Sequence, residues 1–166
     1  MVSNSHNVEI IGSIVFRGVN AINLDQKGRM ALPTRYRDSV QERCVGQLIA
    51  TIDTEERCLL LYPLPEWLEI ERKIEALPSF NKAARRVQRL LIGHATDVDM
   101  DKNGRLVLPP VLRTYAGLDK EIMLVGQGKK FEIWSESLWN EKRDAWLEEE
   151  NGADEPLPED MMSLSL

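Results

Sequence analysis

The chain has little of what most enzymes work with. Its 166 residues include two histidines, His6 and His94, and two cysteines, Cys44 and Cys58. So few imidazoles exclude most zinc constellations and any histidine-based triad shared by repeated units. The cysteines show no C-x-x-C spacing and are too few for a disulfide framework, which points to a reducing, cytoplasmic setting. Neither a G-x-x-x-x-G-K-[ST] nor a G-x-G-x-x-G phosphate cradle occurs, and Gly126-Gln127-Gly128 reads as a hairpin turn. The longest unbroken apolar run, Cys58 to Tyr62, is far too short for a bilayer. No charged-then-apolar leader opens the chain, so no secretory signal is expected. The expectation is therefore a protein without catalysis, cofactor, metal, membrane contact or small-molecule substrate.

What is present is a repeat. Leu24-Asp25-Gln26-Lys27-Gly28-Arg29-Met30-Ala31-Leu32-Pro33 returns as Met100-Asp101-Lys102-Asn103-Gly104-Arg105-Leu106-Val107-Leu108-Pro109, at a constant offset of 76 residues. Apolar residues alternate on both sides of the turn, as half-buried strands require. Asp25 and Asp101 suit the first position of a turn, and Gly28 and Gly104 suit its last. Each copy thus reads as a β-hairpin with an Asp and an Arg four apart at its tip. Turn chemistry does not explain Arg29 and Arg105, which either lock the turn or present a guanidinium fork outward. The two aspartates are the repeated carboxylates, but an Arg four residues on keeps each ionised, which argues against acid–base work.

The net charge of −6 is unevenly spread. Residues 141–166 hold nine acids and two bases, whereas Val15 to Arg37 holds five bases (Arg17, Lys27, Arg29, Arg35, Arg37) and only Asp25 as an acid. Lys82, Arg85, Arg86 and Arg89 form a second acid-free run. An acidic tail on a locally basic body suits a protein whose body meets a polyanion.

The remaining chain fills out two similar units too small to carry separate cores. Strands are expected near 18–24, 29–32, 46–52, 58–62, 121–125 and 130–134. Short helices are expected from Pro33 to Val40 and after Pro109-Pro110 to Gly117. A helix with Trp67, Ile70, Ile74 and Leu77 on one face follows the first unit, and one capped by Ser135, with Trp139, Lys142, Ala145 and Trp146 on one face, follows the second. A helix over 81–92 turns Ala84, Val87 and Leu91 inward and its arginines outward, lying across the joint between the halves. The expected division is a disordered extension (1–15), repeat one (16–66), a helical linker (67–94), repeat two (95–138), and a helix with an acidic tail (139–166).

The doubled Asp-x-x-x-Arg hairpin, followed by apolar residues and Pro, resembles the MraZ family, from Phe16-Arg17-Gly18 through to Ser163-Leu164-Ser165-Leu166. Residues 1–14 depart from the family pattern, which begins near Phe16. The resemblance implies an α+β, mainly β fold: a pseudo-twofold barrel of two interleaved AbrB-like swapped-hairpin repeats with peripheral helices. It also implies a bacterial transcription regulator, a repressor in the present reading, that assembles into a ring. Such a protein binds double-stranded DNA at short direct repeats upstream of its own division and cell-wall operon, in the cytoplasm and on the nucleoid. Carried onto this sequence, the motif residues are Asp25 and Arg29, and Asp101 and Arg105. Arg29, Lys27, Arg105 and Lys102 are then the expected DNA contacts, while Arg17, Arg35 and Arg37 supply field or positioning, and Asp25, Gly28, Asp101 and Gly104 shape the turns. The competing expectation is a ring-forming protein-interaction scaffold without sequence-specific DNA binding.

Overall fold

The computed structural model describes residues 15–149, 158–162 and 164. The extension expected to be disordered, residues 1–14, lies outside them, as does much of the acidic tail. In chain order the elements are β1 (Val19–Asn23), β2 (Arg29–Ala31), α1 (Thr34–Cys44), β3 (Leu48–Ile52), β4 (Leu59–Pro63), α2 (Leu64–Glu75) and α3 (Lys82–Val87). A π-helical turn (Gln88–Ile92) continues α3, and β5 (Thr96–Asp97), β6 (Arg105–Val107), α4 (Pro110–Tyr115), β7 (Glu121–Gly126), β8 (Phe131–Ser135), α5 (Glu136–Glu148) and α6 (Glu159–Met162) follow. Among the described residues, those through Glu136 form one compact unit and those from Ser137 a second. Within the second, Trp139 and Trp146 meet edge to face, ring centroids 6.0 Å apart.

The two sequence repeats interleave inside the first unit. Although β1 and β2 flank one turn, they do not pair along their length. β1 runs antiparallel to β7, from Val19 opposite Val125 to Asn23 opposite Glu121, and β2 runs antiparallel to β6. The two strands that flank each turn therefore pair with the other repeat and not with one another, which is the interleaving expected of the two repeats. The reason is length: a three-residue strand carries one inward side chain, Met30 or Leu106, and buries almost nothing by folding back on its own repeat. Pairing the two copies puts both side chains, each nearly inaccessible, into one core.

The α+β expectation holds, but among the described residues the strands do not close into a barrel. Six form an antiparallel sheet in the order β1-β7-β8-β4-β3-β5, and β2 and β6 form a separate ribbon. β5 is only two residues long and pairs with β3 alone, too short to carry the ladder round to β1.

Alternation along the central strands divides the interior. Leu48, Ala50 and Ile52 of β3 and Leu59 and Leu61 of β4 join Met30 and Leu106 of the ribbon in the main core. Ile49, Leu60 and Tyr62 point to the opposite face and gather Trp67 of α2 with Leu91 and Ile92 of the π-helical turn. The segment after Asn81 thus packs chiefly on the outer face of the β3–β4 pair, through Leu91 and Ile92, while Leu90 reaches the main core. Thr51 on β3 anchors it by donating to the Leu91 carbonyl at 2.6 Å.

α1 runs a turn beyond the expected Val40 because Tyr36, Val40 and Cys44, four apart, all face the core. It stops at Val45, whose φ of 55° is left-handed; the Val45 and Gly46 amides donate to the Gln41 and Val40 carbonyls. Tyr36, placed among arginines in the sequence, lies with Phe16 and Phe131 in an aromatic cluster whose centroids are 4.1–6.0 Å apart.

Candidate nucleic-acid interface

Both turns have the same construction. The Asp25 carboxylate accepts the backbone amides of Lys27 and Arg29, each at 2.9 Å on Oδ1. Asp101 accepts those of Asn103 and Arg105 at 2.8 and 2.9 Å. A carboxylate that receives two N–H groups is favoured in its charged form. The amide of Arg29 first, then its guanidinium, holds Asp25 below the usual carboxylate range, and the amide of Arg105 does the same for Asp101. The aspartates are therefore turn formers, each with its Oδ1 engaged by two backbone amides.

The arginines differ. Arg29 returns its Nε to Asp25 Oδ2 at 2.7 Å, with 43% of its side chain still exposed. Arg105 is exposed, and its guanidinium makes no ion pair among the described residues. The first arginine locks its turn while staying partly exposed; the second is exposed without such a lock.

Register brings the two together. In the ribbon Arg29 stands opposite Val107, Met30 opposite Leu106 and Ala31 opposite Arg105. Because the repeat offset of 76 exchanges these pairs, Met30 and Leu106 sit on a local twofold axis. Met30 and Leu106 point into the core, so Arg29, Ala31, Arg105 and Val107 share the exposed face. The two guanidinium stems start from diagonal positions of one two-stranded ribbon, roughly 7–8 Å apart at their backbones. Lys27 and Lys102 are exposed in the flanking turns. A cationic two-stranded ribbon is of a size that the major groove of B-DNA admits.

The other expected contacts fall into two groups. Arg17 and Arg35 are exposed, and Arg35 also bonds Asn20 while its guanidinium carbon stands 4.7 Å from the centre of the Tyr36 ring. Arg37 is half-buried, its Nε donating to the Leu32 carbonyl at 2.8 Å. Sequence reasoning missed its counterpart Arg113, whose Nε donates to the Leu108 carbonyl at 2.9 Å. The same offset of 76 residues that links the turns would have found it.

These two arginines form the cross-brace of the ribbon. Arg113 packs on Gly28, and Arg37 packs on Gly104, each against the turn of the opposite repeat. Gly28 has φ of 83°, and a Cβ there would lie 2.6 Å from the Leu108 carbonyl oxygen and 2.8 Å from Arg113 Nε. Both turn glycines are thus required by close approach as well as by their positive φ. Reciprocal backbone bonds complete the brace: the Leu32 amide donates to Gly104 at 2.9 Å and the Leu108 amide to Gly28 at 2.8 Å.

Comparison with known proteins agrees with this doubled construction. The family model "MraZ protein, putative antitoxin-like" matches the chain twice, over residues 15–90 and 91–155. A protein of Halorhodospira halophila named "Transcriptional regulator MraZ" is 55% identical over 152 residues, covering 92% of this chain and 100% of that relative. Proteins of the same name from Coxiella burnetii and Legionella pneumophila are each 56% identical over the same shares. Two matched units and majority identity along nearly the whole chain place it in the MraZ family.

Proposed function

We propose that this chain is a transcriptional regulator that binds double-stranded DNA sequence-specifically through the outward face of the β2–β6 ribbon. It is a binding protein rather than an enzyme, and works in the cytoplasm and on the nucleoid. The observation that carries the reading is the convergence of Arg29 and Arg105 on one exposed ribbon face, about a local twofold axis, with Lys27 and Lys102 beside them. Arg29 and Arg105 are the residues for base edges, since a guanidinium fork matches the two acceptors of guanine. Lys27 and Lys102 suit phosphates, and Arg17 and Arg35 add field, whereas Arg37 positions the ribbon. The exchange of strands between repeats supports an AbrB-type swapped-hairpin arrangement, in which repeats 16–66 and 95–138 both contribute to one binding face and the more basic repeat one carries the greater weight.

In this reading the protein acts as a ring-shaped oligomer on direct repeats upstream of its own division and cell-wall operon, and represses it. One chain offers only a few contacts, so useful affinity comes from several subunits engaging repeated sites at high effective concentration. The test is a mobility shift on the upstream region, beside a duplex whose repeats are scrambled. Retention of the native duplex alone is expected. Arg29→Ala and Arg105→Ala should each weaken it by about 10- to 100-fold, the range of one lost bidentate base contact. Equal retention of both duplexes sinks sequence specificity. No retention of either, with the oligomer intact, makes the protein an interaction scaffold instead.

A further inference from the structure

The second basic run of the sequence has no part in the ribbon. Lys82, Arg85, Arg86 and Arg89 follow one another at helical spacing along α3 and into the π-helical turn, and all four are exposed. None has an ion-pair partner among the described residues. The segment is held firmly: Asn81 caps it by accepting the Ala84 amide at 3.1 Å. Gln88 donates to the Ile74 carbonyl, and Leu91 and Ile92 pack with Trp67. That cluster lies on the opposite face of the β3–β4 pair from the core that receives Met30 and Leu106. The two cationic surfaces therefore flank the sheet on opposite sides.

We infer that the Lys82–Arg89 stripe is a second binding surface for nucleic-acid phosphates, distinct from the ribbon. Four unpaired cations on a rigid backbone cost self-repulsion that a solvated surface relieves by interleaving acids. Three of the four are arginines, whose planar forks suit phosphate oxygens. From residue 82 to 89 the stripe is about 10 Å long, enough to meet neighbouring phosphates of one strand. A membrane fits less well, because a surface-bound helix inserts its apolar face, and here that face is occupied: Ala84 is buried, and Leu91 is packed in the outer cluster. A protein seated on its repeats through the ribbon would still present this stripe to a second stretch of DNA.

The experiment uses the full chain and a labelled duplex of random sequence, titrated at several salt concentrations. Wild type and an Arg29→Ala/Arg105→Ala variant are each compared with versions that add Lys82→Gln, Arg85→Gln, Arg86→Gln and Arg89→Gln. Since all four side chains are exposed, the fold is retained, checked by circular dichroism and sedimentation. In both backgrounds the four changes should weaken random-duplex binding about tenfold or more at low salt. They should also flatten the salt dependence by about 0.9 per lost phosphate contact, roughly 2–4 in all. Unchanged affinity and slope would overturn the inference. So would failure of the quadruple variant to self-associate, which assigns the stripe to a subunit contact. Loss confined to anionic phospholipid vesicles would overturn it in favour of a membrane surface. If Arg29→Ala/Arg105→Ala leaves repeat-specific retention intact, the ribbon reading fails alone, and the random-duplex comparison in the wild-type background still decides the stripe.

Discussion

Replacing Gly28 by Ala measures how much the cross-brace of the ribbon contributes. An alanine forced into the left-handed region costs about 1–2 kcal/mol, offset by about 0.4–1 kcal/mol because it has less chain entropy to lose. Gly117 isolates this conformational part: its φ is 60°, and nothing lies within 4 Å of where its Cβ would stand. At Gly28 the new methyl meets the Leu108 carbonyl oxygen, which is backbone and cannot rotate aside. Relief requires the ribbon end to move, which strains the Leu108 amide bond to Gly28 and the Arg113 bond to Leu108. At about 0.5–1.5 kcal/mol for each such bond, a further 1–3 kcal/mol is lost. Gly117→Ala should therefore cost about 1 kcal/mol or less, and Gly28→Ala about 2–4 kcal/mol. Urea denaturation followed by tryptophan fluorescence reads the difference; with a slope of about 1–3 kcal/mol per molar, Gly28→Ala lowers the midpoint by roughly 1–2 M. Gly104→Ala should also lower the midpoint, but by less, because there the methyl meets only the Arg37 side chain, which can shift where a backbone carbonyl cannot. Equal midpoints for Gly28→Ala and Gly117→Ala would refute the idea that the opposite repeat bears on the turn.

Other consequences follow from single residues. Val45 holds a left-handed φ with a branched side chain that is 72% exposed, so Val45→Asn should stabilise by about 1 kcal/mol and raise Tm by about 2–4 °C in calorimetry. Asp25 and Asp101 have folded pKa values below their unfolded ones. Their contribution to stability is present above the ordinary carboxylate range and is lost as pH falls through the depressed folded values. Carboxyl carbon shifts in an acid titration should therefore show both protonating after the other surface carboxylates, with amide protection at Arg29 and Arg105 falling in step. Glu132 is pushed the other way, chiefly by burial, while it accepts the Trp134 indole N–H at 3.0 Å. A raised folded pKa makes the charged form a burden at neutral pH, so Glu132→Gln should raise Tm there, and the gain should shrink as acid protonates the wild-type side chain.

The local chemistry was readable from the sequence because it is local. The Asp and Gly of each turn, the prolines that end β2 and β6, and the alternation of Met30 and Leu106 follow from neighbouring residues. Strand exchange was not readable from alternation, because a strand has the same period whichever partner it meets. The helix over 81–92 was legible along the chain but not in its packing. Its apolar stripe of Ala84, Val87 and Leu91 specifies a buried side, not the surface that buries it. The end of α1 was missed because the sequence offers Val45 where a left-handed cap ordinarily calls for glycine or asparagine. As for the interface, the exposed cations were legible as charge, but the difference between Arg29 and Arg105 lies in a side-chain geometry that no spacing encodes.

Strand exchange also sets a timetable for synthesis. The amides of β1 find their partner in β7, so the residues from Val19 wait for Val125, roughly 100 positions later. At about 5–20 residues per second that is an interval of roughly 5–20 s on the ribosome. Throughout it Phe16 and Leu24, buried in the finished core, have no apolar surface from β7 or β8 to cover them. Stalling within the second repeat would hold the nascent chain in this open state, where strand edges invite pairing with other chains and proteases find extended backbone. Release of the completed polypeptide, rather than emergence of the first repeat, is then the event that commits the protein to its fold.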